Sequence, residues 1–260
     1  TLVHPFDDLD VIAGQATIGA ELLEDVPDLA RVIVPVGGGG LASGIGIALR
    51  QAHAEVELIG VQAQACAPLR DALAGRAPAP VTATTVADGV AVKRPGTITL
   101  PLLRELLDGV ESVSEDEIAA AIVFLAERAK LVVEGAGAIS VALLMRGELG
   151  ALPGSTVAIV SGGNIDSGLL AALLLRHETE LGRRLRIFTR VPDRPGGLAE
   201  LLELIAGVRA NVLSVEHVRE AVPLGVRETG VELTLETRGP SHGAEVLAAL
   251  ERGGYQVTGA

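Results

Sequence analysis

A chain of 260 residues that is 48 % apolar has enough material for one large domain or two smaller ones. Its 33 acidic and 21 basic residues leave a net charge of −12, and it holds three Phe, one Tyr and no Trp, so both the basic field and the stacking surface of a nucleic-acid binder are missing. No apolar run reaches the roughly 18–20 residues of a membrane span, no signal peptide marks the start, and the single cysteine, Cys66, excludes an internal disulfide and a Cys-rich zinc site.

A reduced, cytoplasmic setting without nucleic-acid or membrane partners is therefore expected, with Cys66 as a small apolar residue. The chain opens on Thr1 and runs directly into a structured-looking Leu2-Val3-His4-Pro5-Phe6 segment. The missing Met suggests an upstream segment that has been removed.

From there to about residue 175, apolar β-branched runs alternate with helical patterns. Arg31-Val32-Ile33-Val34-Pro35-Val36 reads as a buried strand, followed by four glycines and a helix over 41–54. Residues 56–61 read as the next strand, 68–74 as a short helix and 110–113 as a third strand. Ser114 and Glu117 have the spacing of a capping box, predicting a helix that runs to about Lys130. Residues 134–145 are Ala/Gly-rich and helical, and 156–160 form another continuous apolar strand. Such runs separated by helices predict a mostly parallel sheet covered on both faces.

Residues 176–184 are polar and charged and read as a linker. Beyond it the rhythm changes. Strands are expected at 186–191, 211–219, 230–237 and near Tyr255, with helices at 198–208 and 242–252. That order is the split βαβ arrangement of a ferredoxin-like domain. The expected domains are thus 1–175, a linker at 176–184, and 185–260.

Gly37-Gly38-Gly39-Gly40-Leu41 lies between a buried strand and a helix. Four residues without Cβ let several backbone N–H groups converge on one anion, and the helix adds its N-terminal partial charge. No lysine follows, so the P-loop pattern is absent. A plain tight turn would need only one or two glycines. Gly37, Gly39 and Ala42 also fit a dinucleotide fingerprint, but that motif wants an acidic residue at the end of the next strand. That strand ends at Val61-Gln62, and Glu57 comes too early. The loop looks built for a single phosphate. A second loop, Ser161-Gly162-Gly163-Asn164, also follows an apolar strand, where open α/β sheets place ligands. Its serine reads equally as a helix cap, but two glycine loops at strand ends favour one shared cofactor.

These residues carry a resemblance. His4-Pro5-Phe6-Asp7-Asp8, Ala13-Gly14-Gln15-Ala16-Thr17-Ile18-Gly19, Pro35 to Gly44, Ala87-Asp88-Gly89-Val90, Glu134-Gly135-Ala136-Gly137 and Ser161-Gly162-Gly163-Asn164 resemble, in order, the threonine dehydratases of the second fold type of pyridoxal-phosphate enzymes. The resemblance implies that the backbone of Gly37, Gly38, Gly39, Gly40 and Leu41 holds the cofactor phosphate. It also implies that Ser161 meets the pyridine nitrogen, and that Gly89 and Glu134 line the ring. A neutral hydroxyl at that nitrogen makes a weaker electron sink than a carboxylate would, which is compatible with expelling a β-hydroxyl. The implied reaction is deamination of L-threonine, or serine, with 2-oxobutanoate and ammonia as the products from threonine.

The same family carries a Schiff-base lysine in Ser-Phe-Lys-x-Arg-Gly and a substrate loop Ser-x-Gly-Asn, both ahead of the His-Pro-Phe segment. Neither occurs here. The two lysines, Lys93 and Lys130, read as structural or surface residues. The chain is therefore expected to be a truncated enzyme, inactive by itself, with no catalytic residue of its own. A glutamate that binds a divalent cation in serine racemases is matched by Gln62, with Pro68 where an aspartate is expected, so no metal is predicted.

The tail resembles an ACT domain, an amino-acid-binding module, through Val191-Pro192-Asp193-Arg194-Pro195-Gly196-Gly197-Leu198 and Ala210-Asn211-Val212-Leu213. That resemblance implies an allosteric effector at Arg194, Gly196, Gly197, Leu198 and Asn211, and pairing into a homo-oligomer. A plain β–turn–α connection explains the same turn. A role in isoleucine biosynthesis and a catabolic one are both open. The alternatives to a dehydratase are a non-catalytic amino-acid sensor and a serine racemase-like enzyme.

Overall fold

The computed structural model describes residues 3–76, 84–219 and 225–259. Leu2, at the head of the opening segment, lies outside them. The chain divides into two compact units, residues 1–167 and 168–260.

The first unit is built on four parallel strands in the order β3-β2-β1-β4: β1 Leu29–Pro35, β2 Glu57–Ala63, β3 Gly109–Val113 and β4 Ser155–Ala158. Val34 pairs with Gly60 and Ile33 with Ala158. β1 and β2 are almost entirely buried, as continuous β-branched runs in a parallel sheet require. The helices are α1 Leu9–Asp25, α2 Gly40–Gln51, α3 Pro68–Leu73, α4 Thr99–Leu106, α5 Glu115–Phe124 and α6 Gly135–Arg146.

Two of these helices, α1 and α4, have no counterpart in the sequence expectation. Helix α1 buries little of itself; its Ile18, Leu22 and Leu23 pack against the core, and glycines carry the closest part of its crossing with α2. A Cβ on Gly19 would come within 2.7 Å of the Ala48 Cβ, and one on Gly44 within 2.7 Å of the Ala16 nitrogen. Small residues at the crossing let the two backbones approach closely.

The predicted capping box is present. Ser114 Oγ accepts from the Glu117 N–H at 3.3 Å, and Glu117 Oε2 accepts from the Ser114 N–H at 2.7 Å. The helix it starts is α-helical to Phe124 and runs on to the expected end near Lys130. Leu125–Ala129 form a π turn, and Lys130 takes a left-handed φ of 59°.

The second unit begins with α7, Ser167–Glu180. The stretch expected as a linker is thus helical to Glu180, and the division between units falls at Ser167, eight or nine residues earlier than expected. Its charged residues are good helix formers, with Arg176 and Glu180 paired at 2.8 Å across one turn. There follow β5 Arg184–Pro192, α8 Gly197–Gly207, β6 Asn211–Val218, β7 Glu228–Glu236, α9 Pro240–Arg252 and β8 Thr258–Gly259. The strands form an antiparallel sheet, β6-β7-β5-β8, in the predicted βαββαβ order. Ile187, Val191, Val231, Leu233 and Leu235 face α8 and α9 in its core. The last strand lies beyond Tyr255, because a turn at Gly254 (φ 87°) carries Tyr255 into the core before pairing resumes.

Candidate functional site

At the C-terminal ends of β1 and β4 the first unit holds a cavity of about 370 Å³. It is lined by Gly37, Gly38, Gly39, Gly40, Leu41, Gly89, Glu134 and Ser161, all eight residues expected to hold a cofactor. The two strand-end loops therefore open into one space. Pro5, Phe6, Gln15 and Val92 also line it; of these, Pro5, Phe6 and Gln15 stood in the family motifs with no role assigned.

The first wall is the glycine turn. Among the described residues, the N–H groups of Gly37, Gly38 and Gly39 donate to no backbone or side-chain acceptor of the chain, and α2 begins without a capping side chain. Gly38, Gly39 and Gly40 are buried. Buried donors without acceptors are costly unless an anion takes them. Side chains are excluded here by the surroundings. Gly39 has φ 99°, and a Cβ on it would meet Leu103 Cδ1 at 2.6 Å. A Cβ on Gly38 would overlap the ring of Phe6.

The opposite wall is the Ser161–Asn164 loop, clasped to the start of α6. The Glu134 N–H donates to the Gly162 carbonyl at 3.2 Å, and the Asn164 N–H donates to Glu134 Oε2 at 3.1 Å. A Cβ on Gly162 would overlap the Glu134 carboxylate, so any side chain there requires that carboxylate to move. Ser161 is exposed at the cavity wall rather than capping a helix. The floor is the turn Asp88–Val90. Gly37 leaves only 3.1 Å for a Cβ against Val90, and Gly89 only 3.0 Å against Ala136.

This construction fits a flat ring ester with a phosphate at one end. The match with known families decides which: the family model described as pyridoxal-phosphate dependent enzyme matches residues 1–162. The chain belongs to the pyridoxal-phosphate dependent enzymes. It is 46 % identical over 257 residues to an L-threonine ammonia-lyase of Geobacter sulfurreducens, an alignment covering 98 % of this chain and 64 % of that relative. A crystal structure of threonine deaminase from T.th. superposes with a TM-score of 0.59 at 40 % identity, covering 64 % of this chain and 62 % of that one. Maize serine racemase gives a TM-score of 0.61 at 32 % identity, covering 69 % and 56 %. The parallel sheet of this family member is that of fold type II.

Two residues whose bracing roles the sequence did not show support the site. Gln62, buried on β2, donates from Nε2 to the Val36 carbonyl at 3.2 Å, while its Oε1 accepts from the N–H groups of Leu69 (3.1 Å) and Arg70 (3.2 Å). It thus ties the residue before the glycine turn to the start of α3. Asp7 binds the start of α4. Neither lysine of this family member lines the cavity, and Lys130 donates to the Glu127 carbonyl at 2.7 Å. Among the described residues no cluster of His, Cys, Asp and Glu could hold a metal ion, and no helix is long and apolar enough to cross a membrane.

In the second unit the expected effector residues fall into two places. Arg194, Gly196, Gly197 and Leu198 form the turn into α8, where Gly196 has φ 91° and Arg194 pairs with Glu200 at 2.8 Å. Asn211 opens β6, beyond the other end of the 11-residue α8, which is about 16 Å long. Its Nδ2 donates to Glu236 Oε2 at 3.0 Å.

Proposed function

We propose that the chain is the cofactor-holding part of a threonine/serine ammonia-lyase, which deaminates L-threonine to 2-oxobutanoate and ammonia. The observation that carries this reading is the single cavity with acceptor-free N–H groups at Gly37–Gly39 on one side and Ser161 on the other. The similarity to the L-threonine ammonia-lyase of Geobacter sulfurreducens supports the substrate. This chain spans 64 % of that relative's length, so the whole activity belongs to the proposal.

When bound, pyridoxal phosphate supplies an electron sink that acidifies the substrate Cα–H. The chain's residues do the rest of the holding. Backbone N–H groups of Gly37, Gly38, Gly39, Gly40 and Leu41, with the positive end of α2, would take the phosphate. The Ser161 hydroxyl would meet the pyridine nitrogen, a neutral partner where a carboxylate would favour its protonation. Gly89 and Glu134 would line the ring, and Phe6, packed over Gly38, would cover the phosphate turn.

Titration of the 260-residue chain with pyridoxal phosphate and with pyridoxal tests this. Pyridoxal phosphate is expected to bind saturably and at least about tenfold more tightly than pyridoxal, since charge-assisted bonds to the phosphate are lost with it. Equal affinities would overturn the site. Formation of 2-oxobutanoate from threonine by this chain alone is expected to be negligible, because neither lysine reaches the cavity. Robust turnover would overturn that account.

A second role is favoured by the βαββαβ unit. We propose that it is an ACT-type module taking an amino-acid effector at Arg194, Gly196, Gly197 and Leu198, with the start of α8 facing the carboxylate. Because Asn211 lies past the far end of α8, a site using both is completed by Asn211 of a second copy, in a homo-oligomer. Calorimetry with isoleucine, valine and serine on the chain, with its mass in solution measured alongside, tests this. Silence for all three, or a monomer throughout, removes the regulatory reading.

A further inference from the structure

Asp7 and Asp8 are neighbours in sequence that cap two different helices. Asp8 Oδ1 accepts from the N–H groups of Asp10 (2.9 Å) and Val11 (3.3 Å), the ordinary local cap of α1. Asp7 reaches 90 residues along the chain. Its Oδ2 accepts from the Thr97 N–H and hydroxyl, both at 2.8 Å. Its Oδ1 accepts from the N–H groups of Ile98 (2.8 Å) and Thr99 (3.1 Å).

Helix α4 has no capping side chain of its own; Asp7 serves instead. Burial pushes the Asp7 carboxyl up, but the Thr97 hydroxyl and the three N–H groups outweigh it and hold the carboxyl below its usual range. Thr99, capped in this way and fully buried, then donates its hydroxyl to the Gly38 carbonyl at 2.6 Å.

We infer that Asp7 is a positioning residue for the phosphate-holding turn, acting through Thr99 on the Gly38–Gly39 peptide. The geometry of the peptide group carries the effect. A trans peptide is planar, so the Gly38 carbonyl and the Gly39 N–H point in opposite directions. Fixing the carbonyl against Thr99 aims the Gly39 N–H away from α4. Glycines have the widest backbone freedom, so an N–H in this turn is aimed only if something outside the turn holds it. The Phe6 ring, next to Asp7 in the chain, lies over Gly38 and closes the same clasp. His4 steadies the segment by accepting the Asp7 N–H at Nδ1, 2.9 Å away.

This role rests on the reading of the glycine turn as a phosphate site, so the test has two arms. Hydrogen exchange of the segment around Gly37–Leu41 is measured in the wild-type chain and in the Thr99→Val, Asp7→Ala and Asp7→Asn variants. The ratio of affinities for pyridoxal phosphate and pyridoxal is measured in the same four proteins.

Thr99→Val removes one hydroxyl at nearly constant volume and is expected to speed exchange of the turn about fivefold to tenfold, with the thermal midpoint little changed. Asp7→Ala is expected to do the same and to expose the start of α4, and Asp7→Asn to restore part of the protection. The affinity ratio is expected to fall about tenfold in Thr99→Val and Asp7→Ala, because only the phosphate contacts are disturbed. Unchanged exchange of the turn in Thr99→Val overturns the relay, whatever the cofactor does. A wild-type chain that does not prefer the phosphorylated compound overturns the cofactor reading instead, and the exchange arm still decides the relay.

Discussion

The carboxylate of Glu134 occupies the space that a side chain on Gly162 would need, while its Oε2 accepts the N–H of Asn164 at 3.1 Å. One residue at the start of α6 thus sets the course of the loop that carries Ser161. Gly162→Ala is expected to lower affinity for pyridoxal phosphate at least about tenfold, the equivalent of 1.4 kcal/mol. Adding Glu134→Ala should recover part of the loss by making room. A double-mutant cycle on cofactor affinity checks this; additive losses would show that the two residues are not in conflict.

Gly39 carries the same kind of constraint on the phosphate side. A side chain there faces a left-handed backbone (φ 99°) and Leu103 Cδ1 at 2.6 Å. Gly39→Ala is expected to cost about 2–3 kcal/mol from strain and overlap together, read as a lower urea midpoint with unchanged slope. Gly75, also left-handed (φ 68°) but with nothing within 4 Å of its Cβ position, is the control. Alanine there should cost only the backbone part, about 1–2 kcal/mol.

Gln62 uses both ends of its amide inside the protein. Gln62→Glu replaces the group that donates to the Val36 carbonyl with an acceptor, leaving a buried carboxylate oxygen against a carbonyl. The expected cost is about 1–3 kcal/mol, smaller in acid, where the carboxyl is protonated and donates again. Chemical unfolding at pH 5 and pH 8 measures it. Equal stability of the variant at the two pH values would contradict the assigned hydrogen bonds.

Glu117 should be visible in the acid stability of the first unit. The Arg146 guanidinium, bonded to it at 2.7 Å, is the main reason its carboxyl lies at about 2; burial opposes this, and the Ser114 N–H and hydroxyl reinforce it. A carboxyl lowered on folding stabilises the protein above its unfolded value near 4.5, and that contribution disappears as pH falls towards about 2. The Glu117→Gln variant should be less stable than wild type at pH 7 and should converge with it near pH 2. Thermal melts across that range check the sign.

How much of this was readable beforehand depended on the range of the interaction. The buried strands, the capping box at Ser114 and Glu117, the βαββαβ order and the two strand-end glycine loops were legible because each has a local cause, whereas Gly89 and Glu134 were named only through the family resemblance. β-branched runs make parallel strands, a hydroxyl three residues before a carboxylate starts a helix, and glycines follow strands where a ligand approaches the backbone. Helix α1 was missed because few of its side chains are fully buried and its closest approach to α2 runs through Gly19 and Gly44. The start of the 176–184 segment, to Glu180, was misread because a helix's charged last turn has the composition of a linker.

The chain's order of residues, then, determined its elements and the chemistry offered at two strand ends, since those depend on neighbours a few positions away. Only the tertiary structure decided that both ends open into one cavity, that Asp7 caps a helix 90 residues on, and that Gln62 braces Val36. A carboxylate or an amide has the same appearance in a sequence whatever it faces. Its partner is chosen when the sheet closes and distant backbone N–H groups lose water and must find another acceptor.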